Sequence, residues 1–228
     1  MSPPPPDTEV LPLIIIGGGG AAREIAGFAP ECLAPYSPVA MVDRSDANGI
    51  GAICGGLPVL CLDDAIKKHH HAVAIIAIGN AAIRRQMAAL LHCSGIGLAT
   101  LVHRSVISGP RTEIGAGTII GPGCIIMCDV RIGQNVYINI GCTVSHDTVI
   151  EDFATLSPGV SLPGAVHIES GAFIGTGASF VNGRPGYPLR IGRDAIVGAG
   201  ACVTADVAAG QTVVGVPARP AVHKRRRP

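Results

Sequence analysis

The side chain most suited to chemistry in this 228-residue sequence is His146, which follows Ser145 and precedes Asp147. An imidazole titrates near neutral pH and can accept a proton from a reacting group. A hydrogen bond from the ring to a carboxylate fixes the tautomer and increases the basicity of the ring. Gly164 lies 18 residues further along the chain. A histidine with a carboxylate neighbour and a glycine in register is therefore a candidate functional site.

A strict six-residue repeat surrounds these residues and predicts how they are positioned. Every sixth residue from Ile114 to Phe180 is aliphatic or aromatic, and a small or β-branched residue follows four positions after each of the first eleven anchors. A helix needs a period near 3.6 and an ordinary strand a period of 2, so neither fits. The pattern is typical of one flat face of a parallel β-helix. We therefore predict an all-β, left-handed parallel β-helix of hexapeptide repeats.

The same spacing predicts which residues become neighbours. Three faces of six residues form one coil of 18, so residues 18 apart stack at about 4.8 Å. Cys128, His146, Gly164 and Asn182 therefore fall in one column. For a group transfer at this column, we predict that the acceptor substrate attacks directly, without a covalent intermediate on the protein. Cys128 is the rival nucleophile.

One interruption of the repeat lies beside this column. Phe180 and the next anchor, Ile191, are eleven residues apart, so a loop within Asn182 to Arg190 leaves the solenoid. Such loops commonly carry binding functions. The extra residues include Arg184, Pro185, Gly186 and Tyr187.

The first third of the chain has a different organisation. The apolar run Leu11 to Ile16 leads into four glycines and a helix-like segment that ends at Phe28, and further apolar runs alternate with helix-like segments. This predicts an α/β domain with a small Rossmann-like parallel sheet. Ligands bind such sheets at the carboxyl ends of the strands, where a glycine turn lets the backbone approach a pyrophosphate. A turn needed only for strand-to-helix packing is the alternative reading.

Candidate substrate contacts follow three of these predicted strands. The glycine turn has the G-x-G-x-x-A spacing, and Asp43 ends the second strand, where a carboxylate can accept hydrogen bonds from ribose hydroxyls. The candidates are Gly17, Gly19, Gly20, Asp43, Arg44, Gly79, Asn80 and Arg84.

Composition narrows the class of protein. The net charge is +1, and four positive residues crowd into the last five positions, so no basic face for nucleic acid is indicated. No apolar run approaches the roughly 18 to 20 residues of a membrane-spanning helix. The start MSPPPPDTEV lacks the basic region of a secretory signal. Eight cysteines without a CxxC pair are expected to be reduced thiols of a cytoplasmic protein that holds no metal.

Four segments resemble a known family of hexapeptide acyltransferases that includes sialic acid O-acetyltransferases and N-acetyltransferases of nucleotide-linked amino sugars. The resemblance covers roughly residues 11 to 220. The segments are IIIGGGGAAREIAGF, IAIGNAAIRR, YINIGCTVSHDTVIEDFATLSPGV around His146, and the closing VVGVPARP.

The resemblance implies a homotrimer with acetyl-CoA in the groove between neighbouring β-helices and the sugar nucleotide, UDP- or GDP-linked, on the N-terminal domain. It implies His146 as the base, Asp147 as its partner and Gly164 as the donor to the thioester carbonyl. It further implies acetyl-CoA contacts at Thr155, Gly164, Thr176, Asn182, Ala199, Gly215 and Pro217.

Two positions depart from the family pattern. Ala21 stands where the glycine turn commonly continues into a histidine, and Thr155 stands where some amino-sugar enzymes carry a second histidine. Both departures bear on the identity of the substrate rather than on the reaction.

The expected organisation is a disordered Pro-rich start (1–10), a nucleotide-sugar-binding domain (11–101), a β-helix acetyltransferase domain (102–218) and a basic tail (219–228). The leading hypothesis is an acetyl-CoA-dependent N-acetyltransferase for a nucleotide-linked 4-amino-4,6-dideoxy sugar. The alternatives are O-acetylation of a sialic-acid-like sugar and a non-catalytic, sugar-nucleotide-binding scaffold.

Overall fold

The computed structural model describes residues 10–43 and 50–221. Its N-terminal part is a five-stranded sheet with the strand order β3-β4-β2-β1-β5. The pairs β1–β2, β1–β5 and β2–β4 are parallel, and β3–β4 forms a short antiparallel hairpin that the sequence patterns did not predict. The strands are β1 Leu11–Ile16, β2 Tyr36–Val42, β3 Ile53–Cys54, β4 Leu57–Leu60 and β5 Val73–Ile76.

Three α-helices and one 3₁₀ helix pack around this sheet. Helix α1 begins at Gly20, the last of the four glycines, and the Asn80 side chain caps α3 by accepting a hydrogen bond from the Ile83 N–H at 3.1 Å. The helices are α1 Gly20–Phe28, the 3₁₀ helix Ala29–Glu31, α2 Leu62–Lys68 and α3 Ala81–Cys93.

The remainder of the chain is a parallel β-helix with three faces. Face 1 consists of β6 Leu101–Val102, β9 Ile119–Ile120, β12 Tyr137–Ile138, β15 Thr155–Leu156, β18 Phe173–Ile174, β21 Ile196–Val197, β23 Thr212–Val214 and β24 Arg219–Pro220. Face 2 consists of β7 Ile107–Ser108, β10 Ile125–Ile126, β13 Thr143–Val144, β16 Ser161–Leu162, β19 Ser179–Phe180 and β22 Cys202–Val203. Face 3 consists of β8 Glu113–Ile114, β11 Arg131–Ile132, β14 Val149–Ile150, β17 Val166–Ile168 and β20 Leu189–Ile191.

Residues 18 apart pair on all three faces, as the repeat predicts. Tyr137 pairs with Thr155 on face 1, Thr143 with Ser161 on face 2, and Val149 with His167 on face 3. The anchors from Ile120 to Phe180 are buried in one continuous core with the small residues that alternate with them. The predicted fold class, a Rossmann-like parallel sheet followed by a left-handed parallel β-helix, is confirmed.

Two segments lie differently from the expected boundaries. Leu101 belongs to the first β-helix strand, since Leu101–Val102 pairs with β9. Arg219–Pro220, expected in the tail, pairs with Val213 and Val214. Most of the Pro-rich start and of the basic tail lies outside the described residues.

The edges where the faces meet position the functional side chains. The 2–3 edge, between faces 2 and 3, contains the turns 127–130, 145–148 and 163–165 and the loop 181–188. The N-terminal domain packs on the opposite side of the prism, because its core includes Ile119 and Tyr137 of face 1. In a three-sided prism, the 2–3 edge is the part of the solenoid farthest from face 1.

Candidate active site

His146 lies in an exposed turn on the 2–3 edge, held by hydrogen bonds to the next coil. The Ser145 N–H donates to the Leu162 carbonyl and the Ala165 N–H donates to the His146 carbonyl, each at 2.9 Å. The imidazole Nδ1 lies 2.8 Å from Asp147 Oδ2. With Nδ1 occupied by this carboxylate, Nε2 is the ring nitrogen that can accept a proton from a substrate.

Gly164 lies directly beneath the imidazole, as the 18-residue spacing predicts. A Cβ atom placed on Gly164 would collide with Cε1 and Nε2 of His146, so a larger residue would displace the ring. Within the described residues, no acceptor takes the Gly164 backbone N–H, whereas its carbonyl accepts from the Gly183 N–H at 3.0 Å. The ring and a backbone donor therefore meet at one point of the edge.

The rest of the column continues along the same edge. Cys128 precedes His146 by one coil, and the loop that begins at Asn182 follows Gly164. The loop is a tight turn in which Arg184 and Tyr187 exchange two backbone hydrogen bonds of 3.0 and 2.8 Å. The Tyr187 ring is 81% exposed, so the turn presents a cation and an aromatic ring to solvent.

An ion pair that the sequence analysis did not single out lies beside this column. Arg111 and Asp129 pair on the 2–3 edge, with Nε–Oδ1 and Nη2–Oδ2 distances of 2.5 and 2.7 Å. The 18-residue spacing could have identified this pair, because Asp129 lies one coil before Asp147 and Arg111 lies two coils before it.

The N-terminal domain contains a cavity of about 1170 Å³ at the carboxyl edge of its sheet. Gly17 and Asp43, two predicted substrate contacts, line it together with Asp63 of α2 and Met87 of α3. Gly17 has a φ of +131°, and a Cβ atom there would lie 3.0 Å from the Ala77 carbonyl oxygen. Glycine is therefore required where the chain leaves β1.

The other predicted nucleotide contacts are distributed around this edge. Gly19 occupies the N-cap of α1 and Gly20 opens the helix, and a Cβ atom at either position would meet no atom of the described residues within 4 Å. Gly79 and Asn80 line a second cavity of about 530 Å³ with Thr155 and Phe173 of face 1. Arg44 lies outside the described residues.

Arg84, predicted to contact the substrate, lies in the junction between the two domains. Its side chain is 1% exposed, and its guanidinium donates to main-chain carbonyls of both domains. Burial lowers the pKa of Arg84 to about 10, so it remains a cation at neutral pH. It thus ties the loop before α3 to the β-helix. The acceptors are the carbonyls of Ile78, Gly79, Asn135, Phe153 and Ala154 and the Thr155 hydroxyl.

Six of the seven predicted acetyl-CoA contacts fall on two separate edges. Gly164 and Asn182 lie on the 2–3 edge. Thr176 and Ala199 lie on the edge between faces 1 and 2, where Gly215 and Pro217 follow β23 at the end of the solenoid, and Thr155 lies on face 1. The whole width of face 2 separates the two sets within one chain.

The described residues contain neither a membrane-spanning helix nor a metal-binding cluster. No helix in residues 10–43 and 50–221 is long and apolar enough to cross a bilayer. Over the same residues, no group of three histidine, cysteine or acidic side chains is arranged to hold a metal ion.

Comparison with known proteins agrees with this architecture. Residues 12–91 match the family described as the PglD N-terminal domain. A GDP-perosamine N-acetyltransferase of Escherichia coli O157:H7 is 41% identical over 144 residues, which are 63% of this chain and 65% of that relative. The alignment thus spans somewhat less than two thirds of its length.

Several solved structures match nearly the whole chain, among them those of WeeI and PerB. WeeI from Acinetobacter baumannii AYE is 35% identical, with a TM-score of 0.86, and the match covers 93% of this chain and 100% of that one. PerB from Caulobacter crescentus, solved with CoA and GDP-perosamine, is 29% identical, with a TM-score of 0.80 and coverage of 94% and 99%. The chain therefore belongs to the hexapeptide-repeat acyltransferase family of sialic acid O-acetyltransferases and nucleotide-amino-sugar N-acetyltransferases.

Proposed function

We propose that the protein is an acetyl-CoA-dependent N-acetyltransferase of a nucleotide-linked 4-amino-4,6-dideoxy sugar. The observation that carries this proposal is the imidazole of His146, held by Asp147 through Nδ1 while its Nε2 side lies over Gly164. The E. coli relative is a GDP-perosamine N-acetyltransferase, and PerB was solved with GDP-perosamine. Both support a guanine nucleotide in this chain's substrate.

The reaction follows from these groups. The unprotonated sugar amine attacks the thioester carbonyl carbon, and His146 Nε2 accepts the proton that the amine loses. The Gly164 N–H donates to the oxyanion of the tetrahedral intermediate. The intermediate collapses by breaking the C–S bond, and the CoA thiolate takes the proton back from His146. The acetyl group passes directly to nitrogen, without an intermediate on Cys128.

The rate contributions are of the usual size for such groups. General base catalysis supplies roughly 10²- to 10⁴-fold. One oxyanion donor supplies about 3 kcal/mol. The Asp147 carboxylate acts through the ring, because its hydrogen bond to Nδ1 fixes the tautomer in which Nε2 is the acceptor.

The geometry of a single chain supports a shared active site. His146 lies on the edge opposite face 1, whereas the nucleotide-binding domain packs on face 1. The two sets of expected acetyl-CoA contacts likewise lie on different edges. We therefore infer a homotrimer in which His146 of one chain meets the acetyl-CoA contacts and the bound sugar of a neighbour.

A panel assay tests the proposal. The purified protein is incubated with acetyl-CoA and with GDP-linked amino sugars, UDP-linked amino sugars or free sialic acid, and CoA thiol release is measured. We expect release with a GDP-linked 4-amino sugar and a product that carries an amide. Release only with sialic acid would make the chain an O-acetyltransferase. Binding of a nucleotide sugar without release of CoA thiol would indicate a non-catalytic scaffold.

A further inference from the structure

A ladder of residues with left-handed backbone conformation runs along the 2–3 edge. Arg111, Asp129, Asp147 and Ala165 follow one another at intervals of 18 residues, with φ angles of +57°, +59°, +58° and +56°. Their backbones occupy the same place in four consecutive coils. Their side chains therefore leave the solenoid in register, one coil spacing apart.

The first two members of the ladder form a bidentate ion pair. Arg111 Nε and Nη2 donate to the two Asp129 carboxylate oxygens at 2.5 and 2.7 Å. The hydrogen bonds from Arg111 lower the pKa of Asp129, so this carboxyl group is ionised throughout the neutral range. Fork geometry of this kind fixes the orientation of both partners.

Without Arg111, the edge would carry two stacked negative charges beside the catalytic ring. Asp129 and Asp147 lie in adjacent coils, and the charge of His146 is felt at Asp129. Like charges at one strand spacing repel each other and stabilise a nearby cation. The guanidinium of Arg111 cancels the charge of Asp129, so Asp147 is the carboxylate with which the ring interacts.

The other charged groups near this edge, within the described residues, do not replace this balance. Glu113 and Arg131, where face 3 begins, lie 4.0 Å apart and offset each other. The preceding coil also contributes Cys128, and the following coil presents the uncharged Gly164 and Ala165. The remaining titratable groups on the described part of this edge are Arg184 and Tyr187, in the loop of the next coil, and Asp206, which follows β22.

We propose that Arg111 is a positioning residue for the reaction: it holds Asp129 in a neutral pair, so that His146 has one effective acidic partner and keeps its capacity to accept the proton of the acceptor amine. This inference rests on the proposed role of His146 as the base.

The inference predicts shifts of opposite sign. Arg111→Gln leaves Asp129 unpaired, and the added negative charge stabilises the imidazolium, so the acidic limb of kcat/KM moves to higher pH. Asp129→Asn leaves Arg111 unpaired, and the acidic limb moves to lower pH. Each shift is expected to be about 0.3 to 0.8 pH unit for partly solvated charges at this range. The double variant, which removes both charges, returns to within about 0.2 pH unit of the parent.

The decisive measurement follows the ring itself. In the whole protein without substrates, the His146 Cε1 resonance, identified by its loss in His146→Asn, is titrated in the parent, both single variants and the double variant. Arg85→Gln is the matched control, since Arg85 pairs with Asp194 at 3.0 Å on the edge between faces 3 and 1. Its shift should be below a third of that of Arg111→Gln, because the whole width of face 3 separates that edge from His146.

Opposite shifts that cancel in the double variant establish the inference. The inference is overturned if both single variants shift the His146 midpoint in the same direction, or if neither shifts it. A pair with only a structural role would not produce shifts of opposite sign. The titration needs no turnover, so it remains readable if the proposed acetyl transfer fails. In that case the panel assay is silent while the midpoints still move.

Discussion

The imidazole of His146 covers Gly164 so closely that a single methyl group on the glycine would strike the ring. The contact joins two consecutive coils at the point where the proposed base and the proposed oxyanion donor must act together. Because His146 is exposed, its ring can swing away without unfolding the solenoid. A larger residue at position 164 is therefore expected to reduce the rate of catalysis rather than the stability of the fold.

Gly164→Ala should reduce kcat/KM roughly 10²-fold or more, because it displaces the base and obstructs the oxyanion donor. Steady-state thiol release measures the loss, and thermal denaturation should be nearly unchanged. Gly27→Ala is the matched control, since open space surrounds a Cβ atom at that position of α1. Full activity in Gly164→Ala would contradict the assigned reaction geometry.

His146→Asn should reduce kcat by roughly 10²- to 10⁴-fold while the KM for acetyl-CoA changes little, because the base acts on the amine and not on the thioester. Asp147→Asn should have a smaller effect, since the ring remains present and loses only its carboxylate partner. Cys128→Ala should retain turnover. An inactive Cys128→Ala with an intact fold would indicate an acyl-enzyme and refute direct attack.

Arg84→Met should lower the free energy of unfolding by about 2 to 4 kcal/mol, because it leaves several buried carbonyls without donors. The neighbouring Arg85 forms an exposed pair with Asp194 at 3.0 Å. Arg85→Ala is therefore expected to cost at most about 1 kcal/mol. Urea denaturation at a fixed protein concentration compares the two variants. Equal losses would mean that the junction does not depend on Arg84.

Mixing two inactive variants tests whether the active site is shared between chains. His146→Asn lacks the proposed base, and Asp43→Ala lacks a carboxylate of the cavity proposed to bind the nucleotide. Mixed assemblies, formed by co-expression, should regain a substantial fraction of activity because some sites combine an intact base with an intact neighbouring cavity. Each variant expressed alone should remain inactive. Sedimentation measures the assembly, and failure to complement would place each complete site within one chain.

Asp63 should determine the proposed preference for guanine over uracil. Guanine presents two adjacent N–H donors that one carboxylate can accept, whereas the corresponding edge of uracil has a single donor between two carbonyls. Asp63 lines the 1170 Å³ cavity. Asp63→Asn should weaken GDP binding roughly 10- to 100-fold and leave UDP binding nearly unchanged. Calorimetry with GDP, inosine diphosphate and UDP measures this.

The control for that experiment is the adjacent residue on the same helix. Asp64 lies in the first turn of α2, where its backbone N–H donates to the Cys61 sulfur at 3.4 Å. Asp64→Asn removes the same charge from the same turn and should preserve the order of affinities. A parent protein that binds GDP and UDP equally well would refute the role of Asp63.

The six-residue period allowed most of the β-helix to be predicted, because inward positions recur at fixed intervals whatever the surrounding residues are. It located His146 over Gly164 and contained the register that pairs Arg111 with Asp129. The α/β domain could be predicted less completely. The strands of its hairpin at the sheet edge, Ile53–Cys54 and Leu57–Leu60, are too short to show a periodic pattern.

Sequence alone determined the repeat, the coil length and the column of residues, since these depend only on local spacing. Tertiary structure decided how the two domains meet. Arg84 resembles a ligand-binding cation in the sequence, yet folding brings carbonyls of Asn135 and Ala154 around it. These hydrogen bonds join residues more than fifty positions apart in the sequence, so no local sequence pattern predicts them. The placement of the N-terminal domain on the face opposite His146 is likewise a property of packing, and it is what makes a neighbouring chain necessary to the proposed site.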